Sequence, residues 1–74
     1  MLGEELRKAR EKADVTQEEL SFAAKIDRTY VSQLERNLKS PTVEVLFRVC
    51  DALGIAASEL IARVERSRKT KGKK

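Results

Sequence analysis

The sequence predicts an all-α fold of five short helices. Three observations carry that expectation. Apolar residues recur at three- and four-residue steps, and no segment shows the period-two alternation of a half-buried strand. Capping signals also divide the 74 residues into helix-sized pieces. Each piece is too short to be stable alone, so the helices must pack on one another.

Leu2, Leu6, Ala9 and Ala13 make one apolar stripe of a first helix near 2–12, which Asp14-Val15 interrupts. Thr16 opens a second helix with a capping box: its hydroxyl can accept from the Glu19 N–H while the Glu19 carboxylate reaches back. Leu20, Ala23 and Ala24 form the buried side of that helix, which should stop at Lys25-Ile26. Asp27 suits the N-cap of a third helix whose inner face is Val31 and Leu34. Asn37 tolerates left-handed backbone and ends it.

The single proline, in Ser40-Pro41-Thr42, marks the next helix start, with either Ser40 or Thr42 as the cap. Leu46, Val49, Cys50 and Leu53 then line the apolar face of a fourth helix, and Gly54 stops it. A fifth helix near 57–66 carries Leu60, Ile61 and Val64.

A chain of this length holds one domain at most and buries a modest core. Sixteen basic and twelve acidic residues give a net charge of +4, but the balance is uneven. Six basic residues and no acidic ones fall between Arg66 and Lys74, which leaves residues 1–65 with ten basic against twelve acidic groups. The expected organisation is a domain over 1–65 and a basic, disordered tail over 66–74. That tail is either solvated or a sequence-independent attraction for phosphates.

There is no histidine and one cysteine, so an internal disulfide and a Cys/His zinc site are excluded and no metal or other cofactor is expected. Cys50 lies on an apolar helix face and reads as core. No apolar run approaches the roughly 18 residues of a membrane span, and Met-Leu-Gly-Glu-Glu is too acidic for a signal peptide. A cytoplasmic protein with no membrane partner is expected. Catalysis finds little support. The adjacent carboxylates Glu4-Glu5 and Glu18-Glu19 diverge by about 100° on a helix. The chain is also too short for a deep pocket, so no small-molecule ligand is expected.

The segment from Thr16 to Asn37 is different. Two short helices, over about 16–25 and 27–36, flank the tight link Lys25-Ile26-Asp27, which forces a steep crossing angle. The second presents Val31 and Leu34 inward and Arg28, Thr29, Ser32 and Gln33 outward, with Arg36 nearby. That outward face is either an ordinary solvated surface or a base-reading one. Arginine can donate two bonds to guanine, glutamine can pair with adenine, and threonine offers a methyl group to thymine.

Thr16-Gln17-Glu18-Glu19-Leu20, the run Ile26 to Asn37, Ser40-Pro41-Thr42 and Ala52-Leu53-Gly54 together resemble the phage repressor and Cro (XRE-type) helix-turn-helix family, over about Leu2 to Leu60. Asp27-Arg28-Thr29-Tyr30-Val31-Ser32 is also similar to the controller proteins of restriction–modification systems. The resemblance implies a compact, repressor-like five-helix domain with its third helix in the major groove of double-stranded DNA. On that pattern Arg28, Thr29, Ser32 and Gln33 face bases. Gln17, Arg36, Asn37, Lys39 and Ser40 hold phosphates, and Tyr30 either touches backbone or packs against Phe22.

Arg10 and Glu35 match an ion pair between the first and third helices of relatives, which orients the third helix more than it stabilises the fold. Relatives often carry glycine at the positions of Asp14, Lys25 and Asn37. Lys25 is the residue least suited to that exchange, so strain or an altered turn is expected there.

One recognition helix reads too few base pairs for selectivity, so a homodimer on a pseudo-palindromic operator is expected. Ile55, Ile61 and Val64 are the candidate interface, unless they only close the monomer core. Transcriptional regulation by occupancy follows. The rival from another class is an antitoxin-like protein-interaction module on the same fold, docking through the fifth helix and tail.

Overall fold

The computed structural model describes residues 2–72, with side chains placed through residue 68. Five helices follow in order: α1 (Leu2–Lys12), α2 (Gln17–Ala24), α3 (Arg28–Glu35), α4 (Val43–Leu53) and α5 (Ala57–Gly72). No strand occurs among the described residues. α2 packs on both α3 and α4, α1 packs on α3 and α5, and α4 closes against α5.

The helix starts are written in local chemistry. Thr16 caps α2 with the full box: its Oγ1 accepts from Glu19 N at 3.0 Å, and its own N–H donates to Glu19 Oε1 at 2.9 Å. Thr42, not Ser40, caps α4, its Oγ1 accepting from Val45 N at 3.1 Å. Asp27 stands at the N-cap of α3 in extended conformation, but its side chain makes no capping hydrogen bond. Its charge near the positive end of the helix dipole is the contribution that remains.

The helix ends share one device. Asp14, Lys25 and Asn37 each take φ of +61°, and Gly54 takes +73°. After each left-handed residue an apolar one (Val15, Ile26, Leu38, Ile55) donates its N–H five residues back, to Arg10, Ser21, Gln33 and Cys50 carbonyls respectively. This is the Schellman closure, used four times with a single glycine. Val15, Ile26 and Ile55 pack on the core as the motif favours, whereas Leu38 is 61% exposed. Lys25 therefore keeps the standard turn and accepts the backbone strain. Lys25→Gly should raise stability by about 1 kcal/mol, because glycine adopts positive φ without the Cβ penalty. A thermal melt should register that as a rise of about 4–8 °C. No rise would mean that the lysine side chain makes a compensating interaction.

The core gathers Leu6 and Ala9 from α1, Leu20 and Ala24 from α2, and Val31 and Leu34 from α3. Val45, Val49, Cys50 and Leu53 of α4 and Leu60 of α5 complete it. Two alanines depart from expectation. Ala13 and Ala23 are exposed, since α1 ends at Lys12 and α2 turns Ser21 inward instead. Ser21 is tolerated there because its hydroxyl donates to the Glu18 carbonyl at 2.6 Å. Cys50 is buried, and that burial, aided by the charge of Asp51, pushes its thiol above the ordinary cysteine range.

α5 runs to Gly72, six residues past the end expected near 66. Arginine and lysine are good helix formers, and cations suit the negative end of the dipole. The basic segment can therefore continue the helix. Lys73 and Lys74, the end of the expected tail, lie outside the described residues. Among the described residues no helix is long and apolar enough to cross a membrane.

Candidate nucleic-acid interface

The turn Lys25–Asp27 sets α3 against α2, and α3 divides as its spacing requires. Val31 and Leu34 are buried, Arg28, Thr29 and Arg36 are exposed, and Ser32 and Gln33 are half-buried. Gln17, Arg28, Thr29, Ser32 and Arg36 line one shallow concavity. The start of α2 and the outer face of α3 thus form a single surface. A second hollow, lined by Arg10, Thr16, Gln17, Glu18 and Arg28, adjoins it. Gln33 lies outside that lining, and Lys39 and Ser40 stand exposed on the loop between α3 and α4.

Beneath this surface α3 is fastened by an ion pair. Arg10 donates to both oxygens of the Glu35 carboxylate, its Nη2 reaching Oε1 at 3.1 Å, and the pair is largely sequestered, with side chains 12% and 3% exposed. Arg10 Nη1 donates to the Val15 carbonyl at 2.8 Å, and Gln17 Nε2 donates to Glu35 Oε1 at 3.1 Å. The Glu35 carboxylate therefore joins α1, α2 and α3, and Arg10 extends the network to the α1–α2 turn. The hydrogen bonds from Arg10 to Glu35 raise the guanidinium further above its ordinary range, against the opposing effect of burial. Arg10 is therefore charged at any physiological pH.

Two of the expected phosphate contacts also bond within the fold. Asn37 turns back toward α1, with Oδ1 accepting from Gly3 N at 2.9 Å and Nδ2 donating to Glu4 Oε1 at 3.2 Å. Its Nδ2 keeps a second hydrogen on the exposed side. Gln17 donates one of its two Nε2 hydrogens to Glu35 and keeps the second for an external acceptor. Tyr30 is half-buried against the core, while Phe22, its expected neighbour, is 75% exposed. Of the three candidate interface residues only Ile61 is exposed, at 43%; Ile55 and Val64 are half-buried, Ile55 as the apolar partner of a helix closure.

Gly3 was missed in the sequence. It is buried where the first turn of α1 meets the end of α3, and a methyl group there would strike the Glu35 carbonyl oxygen and lie 2.7 Å from that of Leu34. Nothing in Leu2-Gly3-Glu4 signals this, because the close approach is to residues more than thirty positions away.

A family model described as helix-turn-helix matches residues 6–60. The control protein C.MunI of a Mycoplasma species is 42% identical over 67 residues, covering 86% of this chain and 88% of that protein. The crystal structure of the clp gene regulator ClgR from Corynebacterium glutamicum is 34% identical, with a TM-score of 0.90 over 96% of this chain and 76% of that one. The structure of SinR, a master regulator for biofilm formation in complex with DNA, is 27% identical, with a TM-score of 0.78 over 82% of this chain and 98% of that one. Coverage varies among relatives, and the chain spans 44% of one matched regulator from Mycobacterium tuberculosis. With more than half of its residues inside the family model and the five-helix fold of these regulators, the chain belongs to the XRE-type helix-turn-helix family.

Proposed function

We propose that this chain is a sequence-specific DNA-binding transcriptional regulator that lays α3 in the major groove of a pseudo-palindromic operator. The observation that carries this reading is the shared concave face of Gln17, Arg28, Thr29, Ser32 and Arg36. It sits on a helix whose orientation is set by the Arg10–Glu35 pair. Arg28 and Thr29 open α3, the end that enters a groove first, and with Ser32 and Gln33 they read base edges. Gln17 and Arg36 flank them, and Lys39 and Ser40 follow on the loop; these hold phosphates and fix the register. The DNA complex of SinR and the regulator and controller names of other relatives support the same reading.

Selectivity calls for two copies. Ile61, exposed on α5, and the half-buried Val64 offer the surface on which a second chain would close. A two-fold pair would set its recognition helices about 34 Å apart, one turn of duplex.

The test is selection of randomised duplexes by the purified chain at near-physiological salt. Recovery of an inverted repeat with half-sites about one helical turn apart supports the reading. Recovery of no motif, with only weak salt-sensitive binding, sinks it and favours a protein partner. On the recovered duplex, Arg28→Ala should cost about 1–3 kcal/mol and relax preference at one base position. Lys39→Ala should weaken all sequences alike and flatten the salt dependence. Uniform loss from both substitutions would overturn the division of roles.

A further inference from the structure

Asn37 stands two residues past α3, and its side chain reaches back to α1. The first N–H groups of any helix lack partners within the helix. In α1 one of these, on Gly3, is satisfied by Asn37 Oδ1 at 2.9 Å, from 34 positions further along the chain. The same amide donates from Nδ2 to Glu4 Oε1, so both of its ends grip the first turn of α1. Gly3 makes the approach possible, since any Cβ there would collide with the last carbonyls of α3. At the other end of this contact Arg10, two turns along α1, holds Glu35 of α3.

We propose that Asn37 is a positioning residue of the DNA-binding face. Its amide locks the end of α3, and with it Arg36 and the loop carrying Lys39 and Ser40, to the start of α1. This rests on the DNA-binding reading above. The left-handed backbone at Asn37, φ +61°, explains only why Asn or Gly is suited to the position. Glycine would satisfy the backbone equally well but cannot cap α1. The choice of asparagine is therefore about the side chain. Two fastenings to α1, Arg10 to Glu35 and Gly3 to Asn37, restrain the end of α3 beyond what its core packing does.

The test uses the full chain in two variants. Asn37→Gly keeps the backbone conformation and removes both grips. Asn37→Asp made together with Glu4→Gln keeps an acceptor for Gly3 N–H, puts a donor opposite it in place of a second carboxylate, and leaves the net charge unchanged. Thermal melts first establish a temperature at which all forms are folded. Exchange of the Gly3 amide proton is then measured, with the affinity ratio between the selected duplex and an unrelated duplex of equal length. The ratio is the informative quantity, because a changed charge alters binding to every sequence alike.

In Asn37→Gly the Gly3 amide should lose its protection and the ratio should fall about tenfold, comparable to the loss of one base contact. The Asn37→Asp, Glu4→Gln variant should retain both. An unchanged ratio in a folded Asn37→Gly with an unprotected amide would show that the grip serves stability alone and would overturn the proposal. Undiminished protection in Asn37→Gly would overturn it as well. If the unsubstituted chain prefers no duplex, the DNA-binding reading fails and the positioning role falls with it. The exchange measurement would still report separately whether Asn37 holds α1.

Discussion

Arg10→Ala is expected to destabilise the fold by about 3–5 kcal/mol, because it strands the Glu35 carboxylate, 3% exposed, without its counter-charge. The hydrogen bond from Gln17 to Glu35 persists and holds the loss toward the lower end of that range. For a domain this size the thermal midpoint should drop by more than about 12 °C. Replacing both partners with apolar residues of similar volume, Arg10→Met with Glu35→Leu, should recover most of the loss, since neither charge then has to be desolvated. The double variant separates the two duties of the pair. It should melt near the unsubstituted chain yet, on the proposed function, bind the selected duplex more weakly, with α3 no longer held by a directional bond. A single-variant loss below about 1 kcal/mol would place the pair among exposed ones and sink the argument.

Leu60→Ala is expected to cost about 2–5 kcal/mol. Among the described residues Leu60 is the only α5 side chain in the buried core, at 0% exposure, and it seats α5 against α1 and α4. A shallow groove lined by Ala9, Leu53, Ile55 and Arg63 already runs beside that junction, so the walls have little to collapse with. Loss of Leu60 should therefore loosen α5 before the rest of the domain. Amide exchange should accelerate along α5 while α2 and α3 stay protected. If α5 carries the dimer contact, sedimentation should show the monomer fraction rising in step. Uniform acceleration across all five helices would mean that α5 is integral to one cooperative unit rather than latched by one residue.

Much of this fold was legible along the chain because its signals are short-range. The capping box at Thr16 and Glu19, the Ser-Pro-Thr start of α4 and the left-handed stops at Asn37 and Gly54 each act within about five residues. The apolar spacing placed Leu6, Leu20, Val31, Leu34, Val49 and Leu60 in the core. The alanines were less informative. A small side chain buries or exposes at little cost, so Ala13 and Ala23 could go either way, and α1's end and Ser21's internal hydrogen bond decided it.

For the candidate site, the chain alone determined which residue types stand on the outer face of α3 and that Arg10 and Glu35 were fit to pair. Helix periodicity and family resemblance suffice for that. Only the tertiary structure decided that Asn37 reaches back to α1, that Gln17 shares the Glu35 carboxylate, and that Ile61 faces outward. It alone revealed Gly3. The Gln17–Glu35 and Gly3–Asn37 contacts join residues 18 and 34 positions apart, and they depend on crossing angles and helix separations set by the whole core at once. A periodic pattern identifies the buried face of each helix; where two such faces meet is settled by packing, to within the radius of a methyl group.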